Sequence, residues 1–452
     1  MIDRSTAMVF TSRSCRVGRL GLRAATAFAA LAFMLSFAAG VNASVVSLAR
    51  FGDVAPSSGG ATFTGFDEPM ADSSGDVVFG ADLSDGGFGI YFIANGGSVT
   101  KIARDGDSIS GATLSTHFDG PAINDARTIF FVNREMTGGF ANALFEKPDH
   151  ASVAAVIKQG DAAPGTSGVF ETFDDMGVNP TKGDIAIIAS YTEDHGSTFK
   201  IGVWLRELIN KNKGTTQVVN VVKSGDALPG SNGTLAVNSD PECIDGPWVG
   251  DNRLVAFIAD CIDGGTNEGS MWARKGNAAI KTFVLLSDTP PAALGGSIDG
   301  INVGRPGLVN NMVALNFEIS GGSTTGALVT KTLGGKTSKA QVLVKNGDAA
   351  PGTSGTFSTT DGVSAPTFNS AGDVEFHSEI VGDAVNFIGE FAFHTKGKLK
   401  GMLDSVVLAG DTKPGGGVWE NTEEGSISSR FITFLDDTGI DAEAGVFRAD
   451  IP

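Results

Sequence analysis

Apolar and polar residues alternate in short runs along residues 44–452, and helical periodicity is absent from that stretch. Runs of this length with a period near two place apolar side chains on one face of a β-strand. Asp76-Val77-Val78-Phe79 is one such run, and it predicts a strand that buries Phe79. A turn signal precedes it. Together they form N-x-x-G-x-x-x-F, clearest at Asn369-Ser370-Ala371-Gly372-Asp373-Val374-Glu375-Phe376. Asn and Gly supply positive φ at little cost, so the motif is a tight turn opening into a strand.

The motif recurs. Its last position is Phe79, Phe131, Ile187, Phe257, Phe317, Phe376 and Phe434. Its Gly position is Gly75, Arg127, Gly183, Arg253, Val313, Gly372 and Arg430. Upstream of each lies a second pattern, G-D-x-x-P-G, plain at Gly160-Asp161-Ala162-Ala163-Pro164-Gly165 and degenerate elsewhere. Its aspartates are Asp53, Asp107, Asp161, Asp226, Asp288, Asp348 and Asp411. Downstream comes Gly-apolar-x-aromatic, as in Gly89-Ile90-Tyr91-Phe92 and Gly202-Val203-Trp204. Three motifs recurring seven times in a fixed order mark a repeat architecture, with units of roughly 60 residues.

Each unit reads as four short strands, the last β-branched, as in Ser98-Val99-Thr100-Lys101-Ile102-Ala103-Arg104. A lone four-stranded sheet cannot bury both faces, whereas stacked sheets do. The expected fold is all-β: a seven-bladed β-propeller of four-stranded antiparallel blades over residues 44–452. The seven motif positions are its core, each contributing about 1.5–3 kcal/mol on burial.

The ends predict closure. The last unit stops at Gly445-Val446-Phe447-Arg448, short of a fourth strand, while Ser44-Val45-Val46-Ser47-Leu48-Ala49-Arg50 matches Ser98–Arg104 in register. An N-terminal strand that completes the last blade removes two unpaired sheet edges.

Residues 1–43 differ in kind. Arg4, Arg13, Arg16, Arg19 and Arg23 precede an apolar run from Ala24 to Val41, and Val41-Asn42-Ala43 ends it with small residues. That is the layout of a secretory signal peptide cut after Ala43. A retained membrane anchor is the alternative, and no later stretch is long and apolar enough to span. Export makes the protein secreted or periplasmic, where Cys243 and Cys261 can pair. They flank the turn of the fourth unit and would face one another across its first two strands. Two free buried thiols are the other reading.

With 51 acidic against 33 basic side chains the formal charge is −18, which excludes nucleic acid as a general partner. With 41% hydrophobic residues the chain is too apolar to be disordered.

The motifs resemble those of a family of exported bacterial tandem-repeat proteins named for N-x-x-G-x-x-x-F. The resemblance covers essentially all of residues 44–452 and is weakest around Ser287 and Asn310. It implies a propeller-like fold and carries over no catalytic residue, since no activity is established for that family.

Crossovers and the loops between second and third strands should share one rim, the expected functional face because its loops are longer and more variable. That rim is acidic. Besides the seven crossover aspartates, a second acid follows in each unit: Asp67, Asp119, Asp174, Asp240, Asp299, Asp361 and Glu424. The loops add Glu193, Asp194, Asp436, Asp437, Asp441 and Glu443. Such a rim can bind Ca²⁺ or a basic partner; equally, each Asp can cap its own turn. The histidines, His117, His150, His195, His377 and His394, show no metal-ligand spacing, and no nucleophile elbow or phosphate loop is present. Two functions remain. One is a non-enzymatic, monomeric binding scaffold for an unknown protein or surface glycan. The other is an extracellular polysaccharide hydrolase or lyase at the rim, with Trp248, Trp419 and Tyr191 left to stack on sugars.

Overall fold

The computed structural model describes residues 44–450 other than 68, 194–198, 211–214, 238–242, 305–306, 310, 359–365, 370, 415, 421, 428–430 and 437–443. The expected signal segment lies outside the described residues, as do Asp194, His195, Asp240, Asp361, Arg430, Asp437, Asp441 and Glu443.

Among the described residues there is no α-helix; two 3₁₀ turns interrupt an otherwise all-β chain. The described residues form seven antiparallel sheets of four or five strands and two small sheets of three. The large sheets follow one another along the chain. The first runs from Phe63–Phe66 through Met70–Ala71, Val77–Leu83 and Phe88–Ile93 to Val99–Arg104. The second holds His117–Ile123, Ile129–Arg134, Ala143–Lys147 and Ala154–Lys158. The third holds Val169–Val178, Ile185–Thr192, Phe199–Asn210 and Thr215–Lys223. The fourth, fifth and sixth begin at Ile244–Gly250, Gly295–Asn302 and Thr356–Phe357.

The seventh contains Glu423–Ile427, Phe431–Asp436 and Gly445–Asp450, and its fourth strand is Val45–Arg50 from the other end of the chain. The register runs from Val45 opposite Ala449 to Arg50 opposite Gly445. Val45–Arg50 has the same alternation of burial as Val99–Arg104, with Ala49 and Ala103 both buried.

First and second strands of successive sheets pack together. Val77–Leu83 meets His117–Ile123, which meets Val169–Val178, which meets Ile244–Gly250. Ile244–Gly250 meets Leu308–Val309 of the fifth sheet, Met312–Gly322 meets Thr367–Phe368, and that pair of residues meets Glu423–Ile427. Glu423–Ile427 in turn meets Met70–Ala71 of the first sheet. The apolar clusters lie between sheets. One joins Phe63 and Phe79 of the first to Ala49, Leu435 and Val446 of the seventh.

All seven motif positions, Phe79, Phe131, Ile187, Phe257, Phe317, Phe376 and Phe434, are 0% exposed. Six of them face an aromatic of the third strand, as Phe131 stacks on Phe145 at 5.1 Å and Phe376 on Phe391 at 5.5 Å, whereas Phe317 faces Ala327. The turns ahead of them are built as their composition requires. Oδ1 of Asn369 accepts the N–H groups of Gly372 and Asp373, and Oδ1 of Asn179 those of Thr181 and Lys182.

Cys243 and Cys261 are joined in a disulfide, with Cα atoms 4.9 Å apart. They extend the pairing of Ile244 with Ala259 at the end of the first two strands of the fourth sheet.

Candidate functional site

The crossover aspartates share one geometry. Oδ2 of each accepts the backbone N–H three residues earlier: Arg50 to Asp53 at 3.0 Å, Arg104 to Asp107 at 2.9 Å, Lys158 to Asp161 at 2.9 Å and Lys223 to Asp226 at 3.0 Å. Leu285 to Asp288 at 3.1 Å, Lys345 to Asp348 at 2.9 Å and Leu408 to Asp411 at 3.1 Å complete the series. The Asp N–H returns a bond to the carbonyl of that same earlier residue in all seven. Each carboxylate thus closes a turn whose preceding residue is a Gly at positive φ in six units, from Gly106 at 80° to Gly347 at 89°. On the other side of the charge, Lys101 meets Asp107 at 2.9 Å and Lys223 meets Asp226 at 2.7 Å.

The Pro of the crossover has its own task. Nε1 of Trp204 donates to the carbonyl of Pro164, and Nε1 of Trp272 to that of Pro229, both at 3.0 Å. A buried indole needs such a partner, and the crossover backbone supplies it.

The second acids stand where the first strands are irregular. Pairing skips residues between Phe173 and Met176, between Asp245 and Trp248, and between Glu423 and Ser426. The second strand likewise jumps from Phe130 to Val132, passing Gly120 and Pro121, and the first sheet breaks between Phe66 and Met70. Bulges of this kind re-aim side chains and admit Pro. They hold Asp174 in the third sheet and leave Asp67, Asp119 and Asp245 at their edges. Asp245-Gly246-Pro247 repeats Asp119-Gly120-Pro121, so Asp245 occupies the level at which the sequence reading placed Asp240.

Arg134 joins two of these acids, with Nη2 2.7 Å from Asp119 and Nη1 2.7 Å from Asp174. Burial, followed by the attraction of Arg134 and the repulsion of Asp174 and Asp67, leaves the Asp119 carboxyl pushed up to about 6. In the fourth unit burial, with Asp245 and Glu268 adding, pushes Asp260 up to about 6. Among the described residues no three or more His, Cys, Asp or Glu are grouped to hold a metal ion.

Below these acids the first strands converge on a cavity of about 50 Å³ lined by Pro69, Met70, Pro121, Met176, Pro247 and Trp248, among others. It admits a few waters and no sugar ring. Gly177 is needed for this approach: a Cβ there would stand 1.9 Å from the carbonyl oxygen of Pro247.

The expectation that Trp248, Trp419 and Tyr191 stand ready for sugars is corrected. All four Trp and both Tyr are at most 2% exposed. Trp248 donates to the carbonyl of Gly304, and Trp419 packs on Phe447 at 4.5 Å.

The histidines divide. His117 and His150 are exposed beside Glu135 and Asp149. His377 and His394 belong to buried networks of the sixth sheet. His394 lies between Asp373 at 2.8 Å and Asp404 at 3.4 Å, which push it up to about 9. His377 is 2.9 Å from Glu390, which is hydrogen-bonded to Glu375. Thr367 donates to Glu375 at 2.6 Å. Both glutamates are at most 1% exposed, and burial, with Glu390 next, raises Glu375 well above the usual carboxyl range. Sequence patterning missed this network, because Glu375 occupies an ordinary position of the motif strand and its partner lies on the next one.

A model of a family of unknown function (DUF7453) matches residues 22–291 and 302–438. No curated protein matches. Among solved structures, a calcium-binding regucalcin from Agrobacterium tumefaciens aligns at 10% identity and TM-score 0.30, over 75% of this chain and 88% of that one. An α-L-arabinofuranosidase of Fusarium graminearum aligns at 10% identity and TM-score 0.34, over 90% and 98%. The Nup133 β-propeller domain of Vanderwaltozyma polyspora gives 12% and 0.22, over 60% and 71%.

Proposed function

The chain belongs to the DUF7453 family of unknown function, and from its geometry we infer an exported, seven-bladed β-propeller that works as a non-enzymatic binding scaffold. The pairing of Val45–Arg50 with Gly445–Asp450, and the return of first-strand contacts from Glu423–Ile427 to Met70–Ala71, support a ring closed by the N-terminal strand. The Arg-flanked apolar segment and the disulfide support export. The recurring N-x-x-G-x-x-x-F turns support placing DUF7453 within the exported tandem-repeat group named for that motif.

One observation carries the scaffold reading. All seven crossover carboxylates are engaged in their own turns, as a repeated structural device requires and as a general acid or base facing substrate does not. The small central cavity and the burial of every Trp and Tyr point the same way. The rim then offers distributed negative charge to a basic protein surface or a glycan. A second reading, a polysaccharide hydrolase or lyase, is favoured only by Asp119, a carboxyl pushed up to about 6 beside Arg134 and Asp174.

The test uses residues 44–452 as bait for envelope and medium components, alongside an assay for cleavage of extracellular polysaccharides. A partner retained at low salt and released at high salt is expected. Polysaccharide cleavage that Asp119→Asn abolishes would replace the scaffold with the enzyme.

A further inference from the structure

A groove of about 360 Å³ lies between the second and third sheets, beside their N-x-x-G turns. None of the crossover aspartates lines it. One wall is apolar: Pro148, Ala151, Ala154 and Val156. Thr128, Thr181, Thr216 and Ser152 bring hydroxyls to the same space. Glu146 and Arg206, ion-paired between the two sheets, also line it, and their side chains are only 19% and 10% exposed.

The pair is the informative feature. An apolar pair of similar size holds two sheets together as well as a mostly buried ion pair does. Here the charged pair borders an open groove, where its donors and acceptors can be used. The charges of Glu146 and Arg206 cancel, and Lys182 is directed to Asp251 at 3.6 Å. The groove is therefore close to neutral in a chain of charge −18. A guanidinium fork can donate to two neighbouring hydroxyls, and a carboxylate can accept from two. An aliphatic wall beside them suits the C–H face of a pyranose. The volume falls in the range of small-molecule sites.

We propose that this groove binds a neutral mono- or disaccharide. Arg206 and Glu146 read vicinal hydroxyls, and the Pro148–Val156 wall covers the apolar face of the ring.

The experiment follows thermal unfolding and calorimetric binding of residues 44–452 with neutral pentoses, hexoses and disaccharides, with hexuronates for comparison. A neutral sugar at tenfold above its Kd should raise Tm by about 2 °C. Ala154→Trp fills the groove from its exposed wall and should abolish that rise while leaving the unliganded Tm within about a degree. Glu146→Gln, which keeps the size of the side chain, should weaken binding at least about fivefold; it serves where the tryptophan variant does not fold. The proposal is overturned by no rise with any neutral sugar, by binding confined to hexuronates, or by binding that both variants leave intact.

Discussion

The guanidinium of Arg127 in the second unit is ion-paired with the fully buried carboxylate of Asp76 in the first. Arg127 stands where the motif has Gly, and its backbone keeps the left-handed conformation, at φ 57°. Arg253 repeats the arrangement at φ 63°, paired with Glu207 of the third unit. In both, an unfavourable backbone is offset by a cation that reaches the preceding sheet. Arg127→Gly relieves strain of about 1 kcal/mol. It also strands the Asp76 carboxylate, at a cost of roughly 3 kcal/mol. The expected result is a net loss of about 2 kcal/mol in chemical denaturation. A double-mutant cycle with Asp76→Asn should give a coupling of about 1–3 kcal/mol. Simple additivity would show that the two residues do not support one another.

Removal of residues 44–50 tests closure. It exposes the edge of Gly445–Asp450 and unpacks Ala49 from the cluster around Phe63 and Phe79. The truncated protein should melt many degrees lower and associate through the bared edge, read by calorimetry and sedimentation. An unchanged melting temperature would contradict the ring.

Glu375 predicts a pH dependence. Its carboxyl binds a proton more tightly folded than unfolded, so it favours the native state most at low pH. That contribution declines as pH rises above the unfolded value of about 4.3. Glu375→Gln keeps the hydrogen-bonding shape and cannot ionise. The difference in Tm between variant and wild type should therefore grow in the variant's favour from pH 5 to pH 8. Groups outside the Glu375–Glu390–His377 network, His394 included, cancel in that difference. A difference independent of pH would mean that Glu375 is already ionised when folded.

Replacing Cys243 and Cys261 by Ser should cost about 3 kcal/mol for a loop of this length and lower Tm by roughly 3–4 °C. Equal melting of the oxidised and reduced wild-type protein would place the stabilisation elsewhere.

Much of this was legible because a repeat states its physics several times. The motif phenylalanines and the pairing of the cysteines follow from alternation around a turn, which is local. The N-terminal strand was recognisable because Ala49 occupies the position of Ala103. Bulges are not legible: they insert residues without changing composition, so spacing alone points to Asp240 rather than Asp245. The Glu375–Glu390–His377 network was hidden for another reason. A polar residue on a strand reads as outward-facing, and only the stacking of sheets on both faces makes that side internal. The same stacking buries Trp248, Trp419 and Tyr191, which composition alone left available.

The pairing of Val45–Arg50 with Gly445–Asp450 also sets a timetable. The earliest strand of the sheet to be synthesised has no neighbour until the latest is made, on the order of a minute afterwards at about 5–20 residues per second. The seventh sheet therefore cannot form on a nascent polypeptide. The other six large sheets draw only on residues 63–408 and carry no such delay.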